Sequence, residues 1–145
     1  MPTKHADPAA VVREYFDSMN AAIAGRDPVV IERRRSLLAD DIVYQNKPLR
    51  RIQGKAEILR WHGEFAGCEF MRGEITHLAT DGDWVLTERS EQWSLNGVTF
   101  GGDIMGILEV RNGQIHTWFD HMSHFGAWVA SGQMPDAFFE RWADR

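Results

Sequence analysis

The chain has 145 residues, a formal net charge of −5, 43% hydrophobic and 26% charged residues, and one cysteine. These figures fit a single domain over 1–145 with a core of its own, and an acidic surface speaks against nucleic acid or an anionic membrane as partner. With no bilayer-length apolar run and no secretory pattern the expected location is cytoplasmic, and the lone Cys68 excludes an internal disulfide or a thiolate metal cluster.

Residues 1–6 read as a loose tail. Asp7 before Pro8 is an N-cap signal with proline at the first helical position, and Val12, Phe16, Met19 and Ile23 follow at helical spacing up to Gly25. A second start at Asp27-Pro28 predicts a shorter helix to about Leu38, its run Arg33-Arg34-Arg35 reading as a solvated face; together the two helices form a hairpin-like lid. Ile42 to Asn46 reads as a short strand closed by Lys47-Pro48, with Tyr44 and Asn46 on the face of Ile42. After Gly54 a third helix carries Ile58, Leu59, His62 and Phe65 on one face and ends near Gly67.

The remainder reads mainly as sheet. Runs over 72–80, 84–95, 99–110 and 114–121 are separated by Asp81-Gly82-Asp83, Asn96-Gly97 and Asn112-Gly113, which predict an antiparallel meander. Gly101, Gly102 and Gly106 suggest bulging or curvature around a cavity. Phe138, Phe139 and Trp142 predict a short docking helix at 135–142. Helices followed by a long curved sheet give an α+β domain with helices on one face and a pocket between.

Within this plan the stretch Thr87 to Trp93 is unusual. Side chains alternate along a strand, so Arg89, Glu91 and Trp93 share a face, and buried charge is costly unless paired. Two readings stay open: a Glu–Arg–Asp cluster lining a cavity, or a solvated face of surface ion pairs. Asp120 shares a face with Trp118 and His116; Asp103 is a second-rank acid; Trp93 is placed to line the cavity. Asp120, His121 and His124 fall short of the three well-placed ligands a zinc site wants, Ser90, Ser94 and Ser123 lack a nucleophile elbow, and nothing beside Cys68 would activate it.

In Tyr44-Gln45-Asn46-Lys47-Pro48-Leu49, Thr87-Glu88-Arg89-Ser90-Glu91 and Gly113 to Asp120, the chain resembles the limonene-1,2-epoxide hydrolase family. That family belongs to the cone-shaped folds called SnoaL-like or nuclear transport factor 2-like. The resemblance implies a curved antiparallel or mixed sheet against N-terminal helices, a homodimer, and cofactor-independent addition of water to a small apolar epoxide. It also implies roles: Asp120 as the base, Tyr44 and Asn46 holding the water, Arg89 bridging two carboxyls, and Glu91 standing where the family has an aspartate acid. No metal or organic cofactor is required. The same fold carries isomerases, cyclases and non-catalytic binding modules, and these are the alternatives.

Overall fold

Asp7 opens the first helix, α1 (Pro8–Asp17), accepting a hydrogen bond from the Ala9 amide with Pro8 at the first helical position. The computed structural model describes residues 6–23, 25–47, 49–63, 68–122 and 132, and side chains within them apart from those at 61–63, 95 and 100. Instead of one helix to Gly25 there are two, because Ser18 folds its hydroxyl back to donate to the Glu14 and Tyr15 carbonyls, and α2 (Met19–Ile23) starts afresh. Such back-bonding competes with the helical ladder and bends it. Asp27 caps α3 (Pro28–Ser36) through the Val29 and Val30 amides. This helix stops before Leu38, which already belongs to β1 (Leu38–Lys47).

β1 is twice the length the apolar run suggested, and its inner face carries Ile42, Tyr44 and Asn46, all buried. A two-residue strand unseen in the sequence, β2 (Ile52–Gln53), turns back onto it. The Leu49 amide donating to the Asn46 carbonyl makes that turn. Helix α4 (Lys55–Gly63) follows Gly54, whose φ of +94° suits glycine. The meander β3 (Cys68–Asp81), β4 (Trp84–Leu95), β5 (Val98–Arg111) and β6 (Gln114–Met122) then runs as expected, with Asn96-Gly97 and Asn112-Gly113 at positive φ in both central turn positions.

The sheet order is β2-β1-β6-β5-β4-β3, antiparallel throughout except that β1 lies parallel to β6. This one parallel pairing decides the architecture: it returns the first long strand to the last of the described ones, and puts Tyr44 beside Trp118 and Asn46 beside Asp120. Helices α1 and α2 lie against β3, while α4 packs on β1 and β2. The buried cluster between them joins Val12, Phe16, Ile42, Ile58, Val85, Leu108 and Ile115.

Of the bulging or curvature expected at the glycines of β5, the bulge is absent from their pairing with β4. Pairing of β4 with β5 runs without a register shift from Trp84↔Glu109 to Leu95↔Val98; the β5–β6 shift lies between Glu109 and Val110. No bulge interrupts Gly101, Gly102 or Gly106 in their pairing with β4; Gly106 instead makes room for a side-chain cluster. The expected helix at 135–142 and the roles weighed for Ser123 and His124 fall outside the described residues, as do the side chain of His62 and the end of α4 near Gly67.

Candidate active site

The period-two face of β4 places Thr87, Arg89, Glu91 and Trp93 inward, all buried, with Arg89 at 0% exposure. The reading of this stretch as a solvated face is thereby excluded. Arg89 distributes its donors over three partners: Nε to Glu91 Oε1 at 3.0 Å, Nη1 to Thr87 Oγ1 at 2.8 Å and Nη2 to Asp120 Oδ2 at 2.7 Å. The face of the guanidinium lies over the Phe16 ring of α1, 4.2 Å from its centroid. Burial opposes this charge, but the facing Asp120 and Glu91 outweigh it and raise the arginine's pKa.

Glu91 Oε2 accepts from Trp93 Nε1 at 3.3 Å, so both carboxyl oxygens are oriented. Burial pushes the Glu91 pKa up, reinforced by the Asp120 charge and opposed by Arg89 and Trp93. A raised pKa favours the protonated acid. Asp120 keeps Oδ2 on Arg89, while Oδ1 has no hydrogen-bond partner among the described residues. Asn46 Oδ1, on the neighbouring strand in register with Asp120, is likewise buried and unpartnered. Buried polar atoms usually find partners, so two orphaned acceptors side by side mark a place suited to a small donor.

These groups sit at the buried end of a cavity of about 450 Å³. Glu91, Asp120, Tyr44 and Asn46 line it, and Arg89 lies behind the two carboxyls. Trp118, Trp93, Tyr15, Ile104 and Met71 give it apolar walls. Trp118 stands edge-on to Tyr44 at 4.8 Å and to Tyr15 at 5.3 Å between ring centroids, which fixes the wall beside Asp120. All five residues singled out from the sequence converge here.

Asp103, weighed as a further acid, pairs with Ser90 on the opposite face of the sheet and is exposed. His116 is 3.3 Å from Asp41, away from the carboxyl pair, and takes no part in the cluster. Among the described residues no group of three or more His, Cys, Asp or Glu side chains is disposed to hold a metal. Cys68 is buried, donates to the Phe70 carbonyl, and has its pKa pushed up by burial, the reverse of an activated thiol. Three participants escaped the sequence reading. Thr87 shares parity with Arg89, a signal that was available; Phe16 was visible only as a core residue; Gly106 was read only as a mark of bulging or curvature. Arg34, expected on a solvated face, is half-buried and lines the cavity.

The sequence profile of the limonene-1,2-epoxide hydrolase catalytic domain matches residues 6–130. The chain belongs to the limonene-1,2-epoxide hydrolase family. The chain is 30% identical to epoxide hydrolase EphG of Mycobacterium tuberculosis H37Rv over 115 residues, 77% of this chain and 65% of that protein's length. The solved structure of an M. tuberculosis hydrolase described as similar to this family superposes with a TM-score of 0.67 at 21% identity, over 92% of this chain and 90% of the other. A candidate SnoaL-like polyketide cyclase from Jannaschia sp. CCS1 superposes with a TM-score of 0.70 at 12% identity, over 88% and 93%. That likeness establishes the α+β cone shared by the hydrolases and the SnoaL-like proteins, and the family's curved mixed sheet is the one found here.

Proposed function

We propose that the protein is a cofactor-independent hydrolase that adds water to a small, largely apolar epoxide in one step. The observation that carries this reading is the Arg89 guanidinium, fully buried and bonded to Glu91 on one side and Asp120 on the other at the end of an apolar-walled cavity. Family membership and the likeness to EphG support it.

In this reading a water molecule lies between Asp120 Oδ1, Asn46 Oδ1 and Tyr44, donating to the two orphaned acceptors. Asp120 takes one of its protons as the oxygen attacks an epoxide carbon; the carbon–oxygen bond opposite breaks, and Glu91 gives its proton to the departing oxygen. The product is a vicinal diol. Exchange with solvent moves the proton from Asp120 back to Glu91 and completes the cycle. Burial favours the neutral Glu91 against the pull of Arg89, while Arg89 Nη2 holds Asp120 Oδ2 and leaves Oδ1 to the water. Trp93 holds Glu91 Oε2 toward the cavity. The proposed assembly is a homodimer, as the resemblance implies.

Incubation with a panel of epoxides in ¹⁸O-labelled water tests the reaction. Diol carrying a single label at one of the two former epoxide carbons is the expected result. The same fold in a candidate polyketide cyclase supports a second reading, proton transfer beside a carbonyl by Asp120. It predicts no diol and exchange of solvent deuterium into a ketone. A protein that binds epoxides or ketones and transforms neither would be a binding module.

A further inference from the structure

The wall and buried end of the cavity suit an apolar molecule with one reacting oxygen, but its outer end has another chemistry. Arg26, Arg34 and Arg35 line it there, in a chain whose net charge is −5. Among the described residues, the carboxyls lining the cavity are Glu91 and Asp120, at the far end and held by Arg89. Two acids on neighbouring elements are engaged in other contacts: Asp27 caps α3, and Glu14 holds Arg33. Glu32 approaches Arg35 at 3.8 Å with both side chains half or more exposed, a weak pairing that a better acceptor displaces.

Two details go beyond a helix end carrying its customary cations. Arg34 is fixed to the wall: its Nε donates to the Tyr15 carbonyl at 3.0 Å and its guanidinium lies 4.2 Å from the centre of the Tyr15 ring. Its terminal nitrogens bond to none of the described residues, although the side chain is half-buried. Arg26 occupies a backbone position with φ of +51°, just past α2, where glycine is the usual choice. The glycine present, Gly25, stands one residue earlier, where a Cβ would meet the Ala21 carbonyl oxygen at 2.7 Å. The turn therefore bears backbone strain at the very residue whose side chain lines the cavity, a pattern that points to use of that side chain.

We propose that Arg26, Arg34 and Arg35 form an anion subsite, and that the substrate class is an epoxide with an apolar body and a carboxylate at the end remote from the oxirane. The planar guanidinium fork matches a carboxylate's two oxygens, and the apolar wall between mouth and carboxyl pair takes the hydrocarbon. The inference on substrate class rests on the epoxide hydrolase reading; the anion subsite does not. Water adds across the oxirane as above, the remote carboxylate is unchanged, and the product is a dihydroxy acid.

Titration calorimetry of the full chain with decanoate and with decanol tests the subsite independently of turnover. Decanoate is expected to bind about tenfold or more tightly than decanol. That advantage shrinks as salt is raised. Arg35→Gln and Arg26→Gly should each remove most of it, and Arg26→Gly should melt at the same temperature or higher because glycine relieves the backbone. Equal affinity for the acid and the alcohol, no detectable decanoate binding, or a preference indifferent to both substitutions overturns the subsite. A terminal epoxy acid should then show higher kcat/KM than its methyl ester, with the ratio collapsing in both variants. Decanoate preference without turnover of any epoxide keeps the subsite and overturns the hydrolase reading; equal turnover of acid and ester overturns the substrate class while leaving the hydrolase in place.

Discussion

Gly106 has no room for a side chain because Arg89 occupies it. A Cβ built on Gly106 would fall inside contact with Arg89 Nη1, 2.5 Å from Asp120 Oδ1 and 3.1 Å from Thr87 Oγ1. The Arg89–Asp120 ion pair thus passes directly over the backbone of β5, the strand between those that carry its two members. Gly106→Ala is therefore expected to destabilise the fold by about 1–3 kcal/mol, since the atoms it meets are buried and bonded and cannot yield cheaply. Turnover should fall with it. Urea denaturation measures the first and epoxide hydrolysis the second; an alanine variant equal to wild type in both would show that the pair has freedom to shift.

Asp120→Asn is expected to lower kcat by about a hundredfold to ten-thousandfold, because an amide of nearly the same shape cannot take the water proton. The variant should still fold, since an amide oxygen can accept from Arg89 Nη2. A folded Asn variant with activity within a few-fold of wild type would remove Asp120 from the role of base.

Glu91 stands where the resemblance implies an aspartate, and its surroundings suit the longer side chain. Its neighbours across the sheet on both sides are glycines, Gly73 on β3 and Gly102 on β5, and its carboxyl is held by Arg89 and Trp93. Glu91→Gln should lose nearly as much activity as Asp120→Asn. Glu91→Asp should also be slower, by up to about a hundredfold, because its carboxyl is drawn back from the geometry those two donors set. Faster hydrolysis by Glu91→Asp in steady-state assays would mean that the extra methylene misdirects the acid.

The raised pKa of Glu91 gives two pH signatures of stated sign. With Glu91 as the proposed acid, kcat should decline as pH rises through its folded value, above the ordinary glutamate range of ~4.3. Stability follows the same group. As pH rises the unfolded chain loses this proton first, so the folded state binds more protons and unfolding becomes easier between the unfolded and folded pKa values. Glu91→Gln should flatten the stability profile in that window and leave it unaltered above. Chemical melts of both proteins across acid to neutral pH would show the difference, and parallel profiles would place the titrating group elsewhere.

Much of this architecture was legible because it depends on local chemistry. Asp7-Pro8 and Asp27-Pro28 start helices wherever they stand, and Asn-Gly turns twist two strands into a hairpin with no help from the rest of the fold. Alternation put Arg89, Glu91 and Trp93 on one face, and Tyr44 and Asn46 on another, before any coordinates were needed. The family resemblance joined those faces to Asp120. Locally the arginine run 33–35 reads as a surface, since a polar helix face has the same composition whether it meets solvent or a cavity.

Tertiary structure decided what depends on distance through space. Whether charges on an alternating strand meet water or one another is set by the helix laid over them, here the Phe16 ring of α1 above Arg89. The parallel register of β1 with β6 brings the two orphaned oxygens of Asn46 and Asp120 together across more than half the chain, and no periodicity encodes that pairing. Gly106 has meaning only in the presence of the guanidinium that fills its side-chain space. Ion pairing, orphaned acceptors and excluded volume are properties of atoms brought close by folding, and a linear pattern can name the atoms without stating which of them will meet.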